Sequence, residues 1–395
     1  MNSSTTSERA NPSSLRGETV KKVIALVILV VAASACQTQQ TRNPPASTAA
    51  SSQPVTGPFS AAELGSFTAL EPIDTHTHVY QSNPAFYAML SRLHMHILDI
   101  CVADDNSPLE KNLPLEIKDV LQVMHDGGSQ VAFCTTFDPY KFRQRRFTQG
   151  AIHQINRNFE QGAIAVKIWK NIGMELKDAR GRYILPDNPI FEPIYRDISA
   201  HHKTLIAHVA DPDSAWDPPN PDSPDYSYFK QNPEWYMYGK PHPASKEQIL
   251  AARDRILEEN PNLRLVGAHL GSMESNFTEL GQHLDHYPNF AVDTAARMPY
   301  VMMQPHDSIV AFITKYQDRL VYGTDLGLSP TANPQSAIKE WEDYYARDWR
   351  FLATNDTVEY HGRKFQGLNL PQPVLRKLYH DNAVHWFPGI LSAAP

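Results

Sequence analysis

The sequence predicts an α/β fold, a (β/α)8 TIM barrel, and three observations carry that expectation. Eight short apolar runs lie at 72–78, 97–103, 130–135, 163–168, 204–209, 263–269, 289–294 and 319–325. Amphipathic stretches separate most of them, and strands that alternate with helices build a parallel sheet. No glycine-rich phosphate loop follows the first run, which argues against the rival topology, an open doubly wound sheet. Eight such units close a barrel. A chain of 395 residues accommodates one barrel with insertions, and 42% hydrophobic residues supply its core.

In chain order, the first 60 residues stand apart from that pattern. Residues 1–19 are polar; Lys21 and Lys22 then precede an apolar run at 23–33 that ends Ala33-Ser34-Ala35-Cys36. A basic region, a short apolar stretch and small residues make a secretory signal peptide over 1–35. The run is short for a permanent bilayer span, which needs about 20 apolar residues; an uncleaved N-terminal anchor is the alternative. The ending resembles a bacterial lipoprotein signal, in which cleavage precedes the cysteine and the thiol is acylated. Ala33 stands where leucine is usual, and Ala33-x-Ala35 also suits ordinary signal peptidase. Residues 36–60, rich in Gln, Thr, Ser, Pro and Ala, suit a polar tether. The expectation is an exported protein held to the lipid bilayer through acylated Cys36 on the periplasmic face of a bacterial membrane, or otherwise periplasmic or secreted.

Residues 61–395 read as one barrel domain. Stretches 109–125 and 145–159 carry apolar residues at helical spacing. Asn188 with Pro189 predicts a capped helix at 189–202. Ser245 and Gln248 predict a capping box opening a helix at 248–259. Residues 210–244 exceed what a barrel needs and hold Trp216, Tyr226, Tyr228, Phe229, Trp235, Tyr236 and Tyr238. Following the fifth strand, they belong to the C-terminal face, as a lid or binding wall or as packing against a neighbouring loop or subunit. Residues 332–395 read as helices closing the barrel. Three cysteines are too few for a disulfide framework, so Cys101 and Cys134, inside strand-like runs, read as buried reduced thiols. Lys and Arg total 36 against 43 Asp and Glu, with no long basic block, so nucleic-acid binding has no support.

The chemistry lies at the strand ends. The first run ends Ile73-Asp74-Thr75-His76-Thr77-His78, and residues two apart on a strand share a face, so His76 and His78 can grip one metal ion. Three further runs end in His208, His269 and Asp325, and imidazole with carboxylate suits zinc or a similar divalent ion. The fourth run, Ala165-Val166-Lys167-Ile168-Trp169, hides a lysine, which is costly unless paired or modified. Lys170, three residues on, is expected on the other face of that strand. Arg297 is a candidate for a substrate carboxylate, and Trp169 and Tyr80 are candidates for the pocket lining; ordinary packing or surface placement accounts for each equally well.

These motifs resemble the amidohydrolase superfamily of metal-dependent hydrolases, in the amidohydrolase-related branch that also holds metal-dependent decarboxylases. The resemblance covers roughly residues 70–390, and Leu378-Tyr379-His380-Asp381-Asn382-Ala383 looks like that branch's closing helix. It implies that His76, His78 and Asp325 hold one metal, that His208 and His269 hold a second, and that Lys167, carbamylated by CO2, bridges them. It implies a catalytic domain that hydrolyses an amide, ester or lactone bond of a small-molecule substrate through a metal-activated water, with Asp325 as the proton shuttle. One or two divalent ions, zinc foremost, are expected. Two alternatives stay open: non-oxidative decarboxylation of an aromatic or unsaturated acid with one metal, and a non-catalytic ligand-binding lipoprotein. Assembly into a homo-oligomer stays open as well.

Overall fold

The computed structural model describes residues 56–106, 112–360 and 362–392. The expected signal peptide, Cys36 and most of the expected tether lie outside the described residues. The end of that tether belongs to the barrel domain instead. Ser60 caps the helix Ala61–Thr68 through a capping box with Glu63, and Arg350 donates to the carbonyls of Gly57 (2.7 Å) and Pro58 (2.6 Å). Among the described residues no helix is long and apolar enough to cross a membrane.

The strands are β1 (Ile73–Val79), β2 (His96–Ile100), β3 (Val131–Thr136), β4 (Ala163–Ile168), β5 (Thr204–Ala207), β6 (Arg264–Gly267), β7 (Phe290–Asp293), β8 (Leu320–Val321) and β9 (Leu326–Leu328). All pair in parallel in the order β8-β7-β6-β5-β4-β3-β2-β1-β9. Within the expected eighth run, 319–325, only Leu320–Val321 forms a strand, which pairs with β7; β9 follows just beyond the run and pairs with β1. Between them Thr75 donates to the Tyr322 carbonyl (3.0 Å) and Asp325 to that of His76 (2.8 Å), so one passage of chain closes the ring. Asp325, at φ 68°, interrupts the strand.

The inner faces of the strands, with Leu98, Ile100, Ala132, Cys134, Ile206, Val266 and Val321, pack on Ala383, Trp386, Phe387 and Ile390 of the closing segment. Asn382 donates to the carbonyls of Gln317 and Leu320, each at 2.6 Å, which seats that segment beneath β8. The outer strand faces pack under the surrounding helices, with Phe133, Val166, Leu205, Leu265 and Val292 buried there. Cys101 and Cys134 are buried and free.

Ser245 and Gln248 form the expected capping box, and the helix runs Lys246–Glu259. Asn188 does not cap a helix. Its side chain accepts from the Ile190 amide two residues on (3.1 Å), a local turn that delays the helix to Glu192–Ala200. The closing region is not wholly helical either. After the helix Pro334–Ala353 comes an antiparallel hairpin, β10 (Thr357–Tyr360) with β11 (Arg363–Gln366).

Candidate metal centre

His76 and His78 leave β1 on the same side, as a two-residue strand repeat requires. Their rings lie 5.4 Å apart, centre to centre. His76 donates from Nδ1 to Asp293 Oδ2 (2.8 Å), and His78 Nδ1 lies 2.9 Å from the Ile100 carbonyl. His269 Nδ1 donates to the Ala295 carbonyl at 2.8 Å. With Nδ1 engaged on all three rings, each Nε2 is left for the cavity, the arrangement that orients imidazole ligands. Among the described residues His76, His269 and Asp325 bring ligand atoms within 4.8 Å of one another. Asp325 Oδ1 lies 3.2 Å from His78 Nε2 and 3.4 Å from His76 Nε2.

Two of these side chains depend on unusual backbone. His269, Leu270, Gly271 and Ser272 all have φ between 56° and 63°, a left-handed turn that costs about 1–2 kcal/mol for each residue with a side chain. Long-range contacts hold it. Asp293 Oδ1 accepts from the His269 amide (2.7 Å), Arg253 donates to the Gly271 carbonyl (2.7 Å), and Ser272 donates to that of Ala210 (2.7 Å). The turn folds back so tightly that a Cβ on Gly267 would lie 2.7 Å from Gly271 Cα, so only glycine fits there.

The opposite wall comes from β4 and β5. Lys167 is buried, and its Nζ lies 2.8 Å from His76 Nε2. Burial pushes its amine below the ordinary lysine range, against the pull of the Asp293 and Asp325 charges. His208 stacks edge-on against His269, ring centres 4.2 Å apart. Its buried Nε2 makes no hydrogen bond among the described residues, with Asp211 Oδ1 3.4 Å away. Burial, reinforced by nearby positive groups, lowers His76, His208 and His269 below the ordinary imidazole range, which keeps them neutral and able to bind metal. Burial alone would raise Asp325. The His78 hydrogen bond and the electrostatic influence of the surrounding imidazoles hold it well below the ordinary carboxylate range instead. Inward-facing imidazole nitrogens and an ionised carboxylate make a donor set that fits a divalent ion.

The expected site residues separate into two groups. His76, His78, Lys167, Trp169, His208, His269 and Asp325 line one cavity. Tyr80 and Arg297 are not on its wall. Tyr80 stands behind His78, its hydroxyl 3.3 Å from Nδ1. Arg297 is buried one layer back, with Nε 3.7 Å from Glu274 Oε2.

Lys170 is the clearest correction, since it shares the cavity with Lys167 instead of facing away. β4 ends at Ile168, so the alternation of strand faces no longer applies two residues later. Lys170 Nζ bonds both Asp211 oxygens (2.9 and 2.7 Å) and the Tyr228 hydroxyl. Tyr228 arrives on the short helix Tyr226–Gln231 of the 210–244 excursion, which therefore contributes to the cavity wall. Asp293 and Asp211 were missed as supporting groups. The signal for Asp293 was a carboxylate closing the run Ala291-Val292, where a buried charge needs a partner.

A search of curated proteins finds no match. Solved structures of low identity do match. The 2,6-dihydroxybenzoate decarboxylase from Rhizobium is 12% identical, with 80% of this chain and 98% of that one covered and a TM-score of 0.45. The 5-carboxyvanillate decarboxylase from Sphingomonas paucimobilis is 13% identical, covering 80% and 99%, with a TM-score of 0.45. Dihydroorotase from Campylobacter jejuni is 13% identical, covering 80% and 82%, with a TM-score of 0.41. Likeness this distant says nothing of reaction or substrate. The family model described as Amidohydrolase matches residues 73–389, a span that runs from the first residue of β1 to the segment plugging the barrel floor and takes in every residue of the cavity. By that match the chain belongs to the amidohydrolase family, whose members are metal-dependent.

Proposed function

We propose that the protein is a metal-dependent hydrolase of an amide, ester or lactone bond in a small molecule. The observation that carries this reading is the convergence of four imidazoles, Asp325 and Lys167 on one cavity. His76, His78 and Asp325 would hold one ion, zinc foremost, and His208 and His269 a second, with Lys167 as a carbamate between them. Such ions lower the pKa of a bound water and polarise a substrate carbonyl. Asp325, ionised and at the cavity rim, accepts a proton there and returns it to the leaving group. Burial shifts Lys167 toward the neutral amine, the form that takes up CO2. Asp293 fixes His76 from behind and aims its Nε2 inward.

One observation favours a second reading, decarboxylation with a single metal. The three-residue group of His76, His269 and Asp325 suffices for one ion. Metal analysis of the purified protein, with panels of lactones, esters and amides, tests both. Two equivalents with hydrolysis support the first reading, and one equivalent with CO2 release from an added acid supports the second. No bound metal and no turnover would sink both and leave a ligand-binding lipoprotein.

The same protein is proposed to be exported and anchored through acylated Cys36, on the strength of Lys21, Lys22, the apolar run and the small residues before Cys36. Mass spectrometry of the mature N-terminus tests this. An unlipidated Cys36 would make it a soluble exported enzyme.

A further inference from the structure

The wall facing the histidines carries a hydrogen-bond donor that the hydrolytic scheme does not use. Lys170 has three N–H groups. Two go to Asp211 Oδ1 and Oδ2, at 2.9 and 2.7 Å, and the third to the Tyr228 hydroxyl at 2.5 Å. The ammonium is therefore saturated and has nothing left for a substrate. It also lies 5.4, 4.9 and 4.5 Å from the ring centres of Trp169, Tyr228 and Trp235, which fixes it in place.

The phenol of Tyr228 is left in a different state. Its oxygen accepts from a cation, so its own O–H is polarised into a stronger donor. Lys170 is the only hydrogen-bond partner of that hydroxyl among the described residues. The phenol proton therefore has no acceptor among the described residues, and Tyr228 lines the same cavity as His76, His269 and Asp325. The excursion holds it there. Ser214 and Tyr300 both donate to Asp225 Oδ2 just before the helix Tyr226–Gln231, and Trp216 donates to the Ala244 carbonyl at 2.9 Å. The cavity measures about 160 Å³ and opens to solvent on one side, which leaves room for a group the size of a single ring.

We propose that Tyr228 is a substrate-contacting residue, whose O–H holds a carbonyl or carboxylate oxygen of a ring-sized substrate across the cavity from His76, His269 and Asp325. Lys170 and Asp211 are its positioning residues. The proposal rests on the reading of this cavity as the active site. It adds to that reading what the cavity accepts: a compact molecule with an acceptor oxygen opposite the metal ligands.

Calorimetric titration of the zinc-loaded full chain tests this with two probes of the same ring size, benzoate and benzyl alcohol. Tyr228→Phe removes only the hydroxyl. It should weaken benzoate by about tenfold or more, the scale of a hydrogen bond to a charged acceptor, and change benzyl alcohol by less than about twofold. Lys170→Met should narrow the same preference, whereas a general loosening of the fold would weaken both probes alike. Benzoate affinity within twofold of the parent in Tyr228→Phe, equal loss for both probes, or a parent that binds neither at millimolar concentration would overturn the proposal. The readout is binding. A parent that discriminates through Tyr228 yet hydrolyses nothing would defeat the hydrolase reading and leave this inference standing, and turnover unaffected by Tyr228→Phe with unchanged probe binding would do the reverse.

Discussion

The two halves of the cavity solve the problem of burying charge in opposite ways. On the β1 and β8 side, His76, His78 and Asp325 lie close together and take their orientation from groups behind them, Asp293 and the Ile100 carbonyl. Their inward-facing atoms are left available. On the β4 and β5 side, Lys170 is fully satisfied inside the site by Asp211, Tyr228 and the flanking rings. Lys167, three residues earlier, has no carboxylate in hydrogen-bond contact among the described residues and faces an imidazole. Burial pushes both amines below the ordinary lysine range, but only Lys170 has a contacting carboxylate to oppose it. The contrast teaches that burial does not by itself mark a reactive group. What distinguishes Lys167 from Lys170 is whether its donors are already spent.

The strongest test of that contrast is to remove an inward-facing nitrogen. His76→Ala should abolish turnover and strip bound metal while the barrel stays folded, because stability resides in the packed layers below the mouth. Metal analysis and a thermal melt on one sample check both halves of the statement. The two lysines should then part company in stability. In metal-free protein, Lys170→Met strands the buried Asp211 charge and should cost about 3–5 kcal/mol. Lys167→Met leaves no contacting carboxylate behind and should cost no more than about 1 kcal/mol. Urea denaturation of the pair measures the difference, and equal losses would erase the distinction drawn here.

Smaller effects sharpen the β1 and β8 side. Asp325→Asn keeps the shape and removes the proton acceptor, so turnover should fall by about 10²-fold or more with metal partly retained. Turnover within a factor of two of the parent would deny Asp325 the shuttle. Asp293→Asn weakens the group that orients His76 and receives the His269 amide. Its expected effect is a loss of about 10–100-fold in metal affinity, read by competition with a chelator, with turnover at saturating metal affected less than in Asp325→Asn.

Some of this was legible because it is local. The pleat of a strand sends His76 and His78 to one side whatever surrounds them, and Ser245 with Gln248 closes a capping box within one helical turn. The alternation of apolar runs and amphipathic stretches determined the barrel, and the polar residue ending each run determined where its chemistry would gather. Where the local rule was extended past its element it failed. Strand alternation stops with β4, before Lys170, and the Asn188 side chain serves a turn instead of capping a helix.

The sequence by itself thus determined the fold and the strand ends that bring His76, His78, Lys167, His208, His269 and Asp325 to one cavity. Only the tertiary structure decided that the eighth strand breaks at Asp325 to close the ring, and that His269 enters the cavity on a left-handed turn. It also decided that Asp293 and Asp211 serve as supports and that Tyr228 crosses from the 210–244 excursion to meet Lys170. The reason is physical. A strained backbone or a buried carboxylate is unfavourable on its own and persists only where partners distant in the chain compensate it. His76 and Asp293 are 217 positions apart, and no local pattern records that they meet.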